Sequence, residues 1–191
     1  MIKAVIFDCF GVIRLDSSAI AYKQLGGDYE TDREFIERTI AAANAGQIPS
    51  PNPMIAGKLG VSETAWRQAY ETASAIDQEV LDYILELRAH YKIGMLTNMS
   101  AGGLQRWFDE QTIQRYFDVA IASGDIGVAK PDIRAYHIMA KRLGVPAQAC
   151  VFIDDRQPYC AAAEGAGMQA IHYTGLRQLR RELAALLVSR S

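Results

Sequence analysis

The chain has 191 residues, half of them apolar and 22% charged, which is enough for one sizeable core and a smaller appended unit. A formal net charge of −2, with no block of five like charges, leaves no footprint for a nucleic-acid surface or an acidic membrane, so metabolite-sized partners fit better. Cys9, Cys150 and Cys160 are an odd set without C-x-x-C spacing, which argues against a disulfide framework and a structural zinc site and suits a reducing cytoplasm.

The chain opens on an apolar run, Ala4–Phe7, that reads as a fully buried strand and delivers a carboxylate at Asp8. The stretch from Met1 to Phe7 is too short for the apolar region of a signal peptide, and no stretch approaches the ~20 apolar residues that span a bilayer. Residues 14–78 then carry helix-period patterns without a strand-like run, the clearest at 34–43 and 62–75. Ser62 is placed to cap the second, with Ala65, Trp66, Ala69, Tyr70 and Ala73 on one stripe. Between them, residues 46–53 read as a turn-rich connector. The expected organisation is a helical insertion over 14–78 in an α/β core of 1–13 and 79–191.

A helix over 80–90 reopens the core, and further buried strands are predicted at 93–96, Val119–Ala122, 151–153 and 168–172. Helical patterns at 132–143 and Gln157–Gly165 alternate with the later ones, as in a parallel sheet. Parallel strands place their C-terminal ends on one edge, where ligands of open α/β sheets bind. Asp8, Thr97, Asn98, Lys130, Asp154 and Asp155 each follow a predicted strand directly or one loop later, so they are expected to converge there.

Carboxylates brought together repel by ~4 kcal/mol per pair at about 4 Å and intermediate dielectric, so the cluster needs cations. Lys130 offsets one charge, and a hard divalent ion with oxygen ligands, magnesium, suits the rest beside a phosphate. With Asp8 as nucleophile, Thr97 and Asn98 can donate to phosphoryl oxygens through hydroxyl, amide or backbone N–H. Lys130 supplies fixed positive charge to a phosphoryl transfer that passes through a covalent aspartyl phosphate.

Phe7-Asp8-Cys9-Phe10-Gly11-Val12, Leu96-Thr97-Asn98, Val128-Ala129-Lys130-Pro131 and Phe152-Ile153-Asp154-Asp155 together resemble the four ordered motifs of the haloacid dehalogenase-like (HAD) hydrolase superfamily. The resemblance spans essentially the whole chain. It implies a Rossmann-like core with a helical cap inserted after the first motif. It also implies metal ligation by Asp8, by the backbone carbonyl of Phe10 and by the acid pair, with Asp155 favoured as direct ligand and Asp154 as support. The implied activity is a magnesium-dependent phosphatase of small phosphorylated metabolites, sugar phosphates among them.

Phe10 departs from that pattern, because most phosphatases of the superfamily carry at this position an aspartate that protonates the leaving group. General acid help is worth about 10²- to 10⁴-fold. One expectation is a phosphatase whose leaving group needs little protonation or whose acid comes from elsewhere, such as Asp16. A second is a metal-independent 2-haloacid dehalogenase, in which an aromatic residue is common here but the acid pair is not. A third is a binding or regulatory protein that has lost the chemistry.

Other features read as structural. Cys9 is expected in a small buried apolar role, and His90, His137 and His172 at the surface or strand ends. Trp66, Tyr70 and Tyr22 are candidates for a cap pocket, with Trp66 expected instead in the core of the insertion. Gly124 to Gly127 reads as a turn ahead of Lys130. Arg177, Arg180 and Arg181 read as the solvated face of a final amphipathic helix. Oligomeric state is not legible.

Overall fold

Strand β1 (Ala4–Phe7) is buried at every residue, because it runs down the middle of the sheet with neighbours on both edges. The structure, a computed structural model, describes residues 1–15, 17–44 and 47–188; Asp16, and Gly46 at the start of the expected connector, lie outside them. After β1 the chain enters four helices: α1 (Ser18–Gln24), α2 (Tyr29–Asn44), α3 (Asn52–Leu59) and α4 (Glu63–Ala73). It returns through α5 (Gln78–Arg88), β2 (Lys92–Thr97), α6 (Leu104–Trp107), α7 (Glu110–Tyr116) and β3 (Val119–Ala122). The last elements are α8 (Ser123–Ile126), α9 (Ile133–Leu143), β4 (Cys150–Asp154), α10 (Gln157–Gly165), β5 (Gln169–His172) and α11 (Leu176–Val188).

Among the described residues the five strands form one parallel sheet in the order β3-β2-β1-β4-β5, a Rossmann-like α/β arrangement. Buried residues on the two faces form separate apolar clusters. One gathers Val5, Phe7, Ile84, Ile93, Met95 and Leu183, the other Ile6, Leu96, Tyr136, Met139 and Phe152. Gly94 marks a close approach where α9 crosses β2, since a Cβ there would meet Met139 Sδ at 3.0 Å and Leu143 Cδ1 at 3.2 Å and push those side chains back by a few tenths of an ångström. The bare backbone lets α9 bury Met139 and Leu143, each worth about 1.5–3 kcal/mol relative to exposure.

The predicted strands are present with extended ends. Residues 93–96 lengthen to Lys92–Thr97 and 151–153 to Cys150–Asp154, so Thr97 and Asp154 are the last residues of strands rather than loop residues. Strand β5 starts at Gln169, one residue later than expected. Asp132 caps α9 instead of opening it, its side chain accepting from Arg134 N–H at 2.9 Å. The helix expected over 80–90 runs from Gln78 to Arg88.

The chain divides into two compact units, one of Met1–Ile13 with Asp77–Ser191, the other Arg14–Ile76. The return to the first unit comes two residues before the boundary read from sequence. Asp77 belongs with the sheet because its N–H donates to Ile13 O at 2.9 Å and its carboxylate accepts from Val80 N–H at 3.2 Å, capping α5.

The Arg14–Ile76 unit packs Ala21, Tyr22, Ile36, Ile55, Ala56 and Trp66 around its own core. Its ends are zipped, with Arg14 bridged to Ile76 and Leu15 N–H donating to Ala75 O at 3.0 Å. The pattern at 34–43 belongs to a longer helix, α2, whose first turn carries Glu30 and Asp32 where negative charge suits the helix dipole. The expected connector is shorter than read, because Asn52 and Pro53 begin α3; proline lacks only an N–H that the first helical turn leaves unpaired anyway. Ser62 caps α4 as expected, accepting from Ala65 N–H at 3.1 Å, and Trp66 is buried, its Nε1–H donating to Asn52 Oδ1 at 3.1 Å. No helix among the described residues is long and apolar enough to cross a membrane.

Candidate active site

Two strands and a loop deliver charge to one spot on the C-terminal edge of the sheet. Asp8 stands one residue past β1, its N–H donating to Ile153 O at 2.8 Å, and Asp154 ends β4 beside it. Lys130, from the loop ahead of α9, places Nζ 2.9 Å from Asp8 Oδ1 and 2.5 Å from Asp154 Oδ2. All three side chains are buried.

Asp8, Asp154 and the half-buried Asp155 each offer a carboxylate oxygen, and these oxygens lie within 4.8 Å of one another. Three carboxylates against one lysine leave an excess negative charge that desolvation makes costly. The donors are all hard oxygens, at a spacing one small divalent cation can bridge. The residues present therefore fit magnesium, which takes carboxylate ligands and keeps several waters for other partners.

The electrostatics follow from burial. Desolvation raises the Asp8 carboxyl from 3.8 to about 6, against the opposing pull of Lys130, while the Asp154 charge adds to the rise. Burial also raises Asp154, again opposed by Lys130. For Lys130 burial alone would favour the neutral amine, but the paired carboxylates of Asp8 and Asp154 outweigh it and hold the ammonium above its ordinary value.

What holds Lys130 was not read from the sequence. Asn98 Nδ2–H donates to Lys130 O at 2.8 Å, and Lys130 N–H donates to Asn98 Oδ1 at 2.8 Å. The Asn98 amide, expected as a donor to phosphoryl oxygens, is instead engaged with the lysine's main chain, while its backbone N–H takes no part in that pair. The Lys130 ammonium also lies 5.0 Å from the Tyr159 ring centroid and 5.2 Å from that of Phe152. Tyr159 is fixed in turn by Tyr136, whose hydroxyl donates to Tyr159 O at 2.8 Å. The available signal was position: Tyr159 lies in the first turn of the helix that follows the acid pair, on the same sheet edge.

The remaining predicted residues take their places around this centre. Thr97 is buried at the end of β2. Gly11, at φ +87°, lies so close to Asp155 that a Cβ would meet its Cγ and Oδ2 at 2.4 Å, so only glycine permits this approach. Asp154 Oδ1 accepts from Arg156 N–H at 2.9 Å, and His172 Nε2 is 2.9 Å from Asp155 O. The half-buried Phe10 ring meets Trp107 edge-on, with centroids 5.1 Å apart at 82°. Trp107 was not singled out from the sequence, because nothing in the 98–109 stretch marks a side chain that turns toward the first motif.

The family model for haloacid dehalogenase-like hydrolases matches residues 2–167. The chain is 25% identical to a sesquiterpene phosphatase of Aspergillus oryzae, over 97% of this chain and 96% of that one. It is similar in fold to a HAD family enzyme of Bacteroides thetaiotaomicron solved with magnesium and inorganic phosphate, at TM-score 0.67 and 22% identity, over 90% of this chain and 93% of that one. A 2-haloacid dehalogenase of Pseudomonas syringae is similar at TM-score 0.59 and 20% identity, over 97% and 100%.

Proposed function

The chain belongs to the haloacid dehalogenase-like hydrolase family, and from that premise we propose that it is a magnesium-dependent phosphatase of small phosphorylated metabolites, with Asp8 as the nucleophile. The observation that carries this reading is the set of three carboxylates, Asp8, Asp154 and Asp155, with oxygens within 4.8 Å and a single lysine between two of them. A site built to displace halide with an aspartate alone gains nothing from two further buried or half-buried acids.

Asp8 and Asp155, with the backbone carbonyl of Phe10, would hold the magnesium ion. Asp154 has donors on both oxygens, Lys130 Nζ and Arg156 N–H, which supports giving it the supporting place. When bound, magnesium supplies Lewis-acid screening between the anionic nucleophile and the anionic ester.

In the first step an Asp8 oxygen bonds to phosphorus and the phosphorus–oxygen bond to the leaving group breaks, its electron pair departing on that oxygen. Lys130, held by Asn98, Tyr159 and Asp154, presents its charge to the transferring group. Thr97 and the backbone N–H of Asn98 are the proposed donors to phosphoryl oxygens. Water then cleaves the aspartyl phosphate and releases inorganic phosphate.

Phe10 offers no proton at either step and its ring is packed on Trp107, so turnover should depend steeply on leaving-group pKa. Anomeric sugar phosphates are among the esters that suit this requirement. The aromatic residue at this position also favours a second reading, a 2-haloacid dehalogenase in which halide leaves without a proton.

Hydrolysis of p-nitrophenyl phosphate that requires magnesium and disappears in Asp8→Asn is the expected result. Turnover of 2-chloropropionate indifferent to EDTA would overturn the phosphatase reading in favour of the dehalogenase. Inactivity on both, with ligand or protein binding retained, would leave a binding protein of this fold.

A further inference from the structure

Arg156 follows the acid pair directly and is exposed to solvent. It occupies the N-cap of α10, the helix end where the macrodipole disfavours a cation, and it forms no ion pair among the described residues. Its guanidinium carbon lies 5.0 Å from the Tyr159 ring centroid, and Nη1 is 3.4 Å from the Tyr159 hydroxyl. The ammonium of Lys130 approaches the same ring, also at 5.0 Å. One aromatic ring thus carries two cations, the first beside the nucleophile and the second open to solvent.

Phe10 narrows what that second cation can be for. An alcohol expelled from a phosphate ester departs poorly unless a proton reaches it, and the residue in the donor's position is a phenyl ring held against Trp107. A phosphate group, whose second pKa is about 6, departs as an anion with no proton at all. What it needs instead is positive charge at the point where its own charge increases, and a guanidinium is suited to that by its planar fork of donors.

Resting on the phosphatase reading, we infer that the site takes organic diphosphates: Asp8 accepts the terminal phosphoryl group, and Arg156 holds the phosphoryl group that leaves with the organic portion. An Asp8 oxygen bonds to the terminal phosphorus, the bond from that phosphorus to the bridging oxygen breaks, and the electron pair stays on the bridging oxygen. The organic monophosphate leaves as an anion. Water then attacks the aspartyl phosphate, regenerates Asp8, and gives inorganic phosphate and one proton.

The test uses the full chain with magnesium and three probes: n-butyl diphosphate, n-butyl phosphate and p-nitrophenyl phosphate. The expected kcat/KM for the diphosphate exceeds that for the alkyl monophosphate, and phosphorus NMR shows inorganic phosphate and n-butyl phosphate as products. Arg156→Gln should lower the ratio of diphosphate to p-nitrophenyl phosphate turnover by roughly 10- to 100-fold, the range for losing a hydrogen bond to a charged group, with Arg156→Lys between the two. Equal losses on both substrates in Arg156→Gln, an alkyl monophosphate turned over as fast as the diphosphate, or release of pyrophosphate would each overturn the inference. Turnover of p-nitrophenyl phosphate without turnover of the diphosphate sinks it alone, whereas inactivity on all three sinks the phosphatase reading with it.

Discussion

In the sheet unit the buried acids and the buried lysine face one another, with Lys130 set 2.9 Å from Asp8 and 2.5 Å from Asp154. In the Arg14–Ile76 unit the arrangement is reversed. There Tyr22 is buried, and its hydroxyl reaches out to Asp32 at 2.7 Å, where Lys58 pairs with the same carboxylate at 3.0 Å. Among the described residues that unit keeps most of its charges at the periphery and fills its middle with Trp66, Ile36 and Ile55. Burial alone accounts for such a core. It does not account for the sheet edge, since a buried ion pair is often no more stable than apolar residues of the same volume. The contrast separates a region packed for stability from one that spends stability on holding charge.

The strongest way to break this contrast is Lys130→Met. Two buried carboxylates would lose their shared cation, and the expected cost is about 3–5 kcal/mol in denaturant unfolding together with loss of turnover. Combining it with Asp8→Asn should recover part of that stability but none of the activity. A double variant as unstable as Lys130→Met alone would mean that packing, not charge, dominates the edge.

Trp66→Ala tests the other region, and truncating so buried an aromatic should cost about 3–5 kcal/mol of stability. Here no partner substitution should rescue the loss, because no charge is left uncompensated. Recovery on altering Asp32 or Lys58 would blur the contrast.

A smaller effect distinguishes the regions by pH. The folded Asp8 carboxyl titrates near 6, above its ordinary 3.8. Its contribution to stability is therefore fully present below about 3.8 and lost as pH rises through about 6. The metal-free protein is weakened where Asp8 is charged, and there magnesium should add most. The rise in melting temperature on adding magnesium should be larger at pH 8 than at pH 5, and equal rises would remove Asp8 from the metal site.

The smallest change is expected from Arg180→Ala. The final helix was read as presenting a merely solvated basic face, yet Arg180 makes two 2.9 Å bonds to Glu86 and lies 4.1 Å from the Tyr83 ring centroid. Exposed pairs of this kind contribute little, so its denaturation midpoint should move less than that of Lys130→Met or Trp66→Ala. A loss matching Trp66→Ala would show that the α5–α11 contact is a structural centre in its own right.

The sheet was legible because each strand is an apolar run that ends in polar residues, as in Ala4–Phe7 before Asp8. The convergence of Asp8, Lys130, Asp154 and Asp155 followed, since parallel strands share one C-terminal edge. Helices of four to eight residues were not legible: α1, α3, α6, α7 and α8 are too short for periodicity to separate from turns. Nor were the roles of Asn98, Tyr159 and Arg180, because each depends on a partner 23 to 94 positions away or on a ring met face-on, and neither leaves a local pattern.

The reciprocal pair between Asn98 and Lys130 has the form of a rung in a ladder. One group donates and one accepts, as a strand residue does toward its neighbour, except that here a side chain stands in for main chain. The sheet is thereby carried one rung into a loop that has no strand of its own. The lysine that neutralises the nucleophile is mounted on the rigid body of the sheet, and its main-chain amide should resist hydrogen exchange as strand amides do rather than as loop amides do.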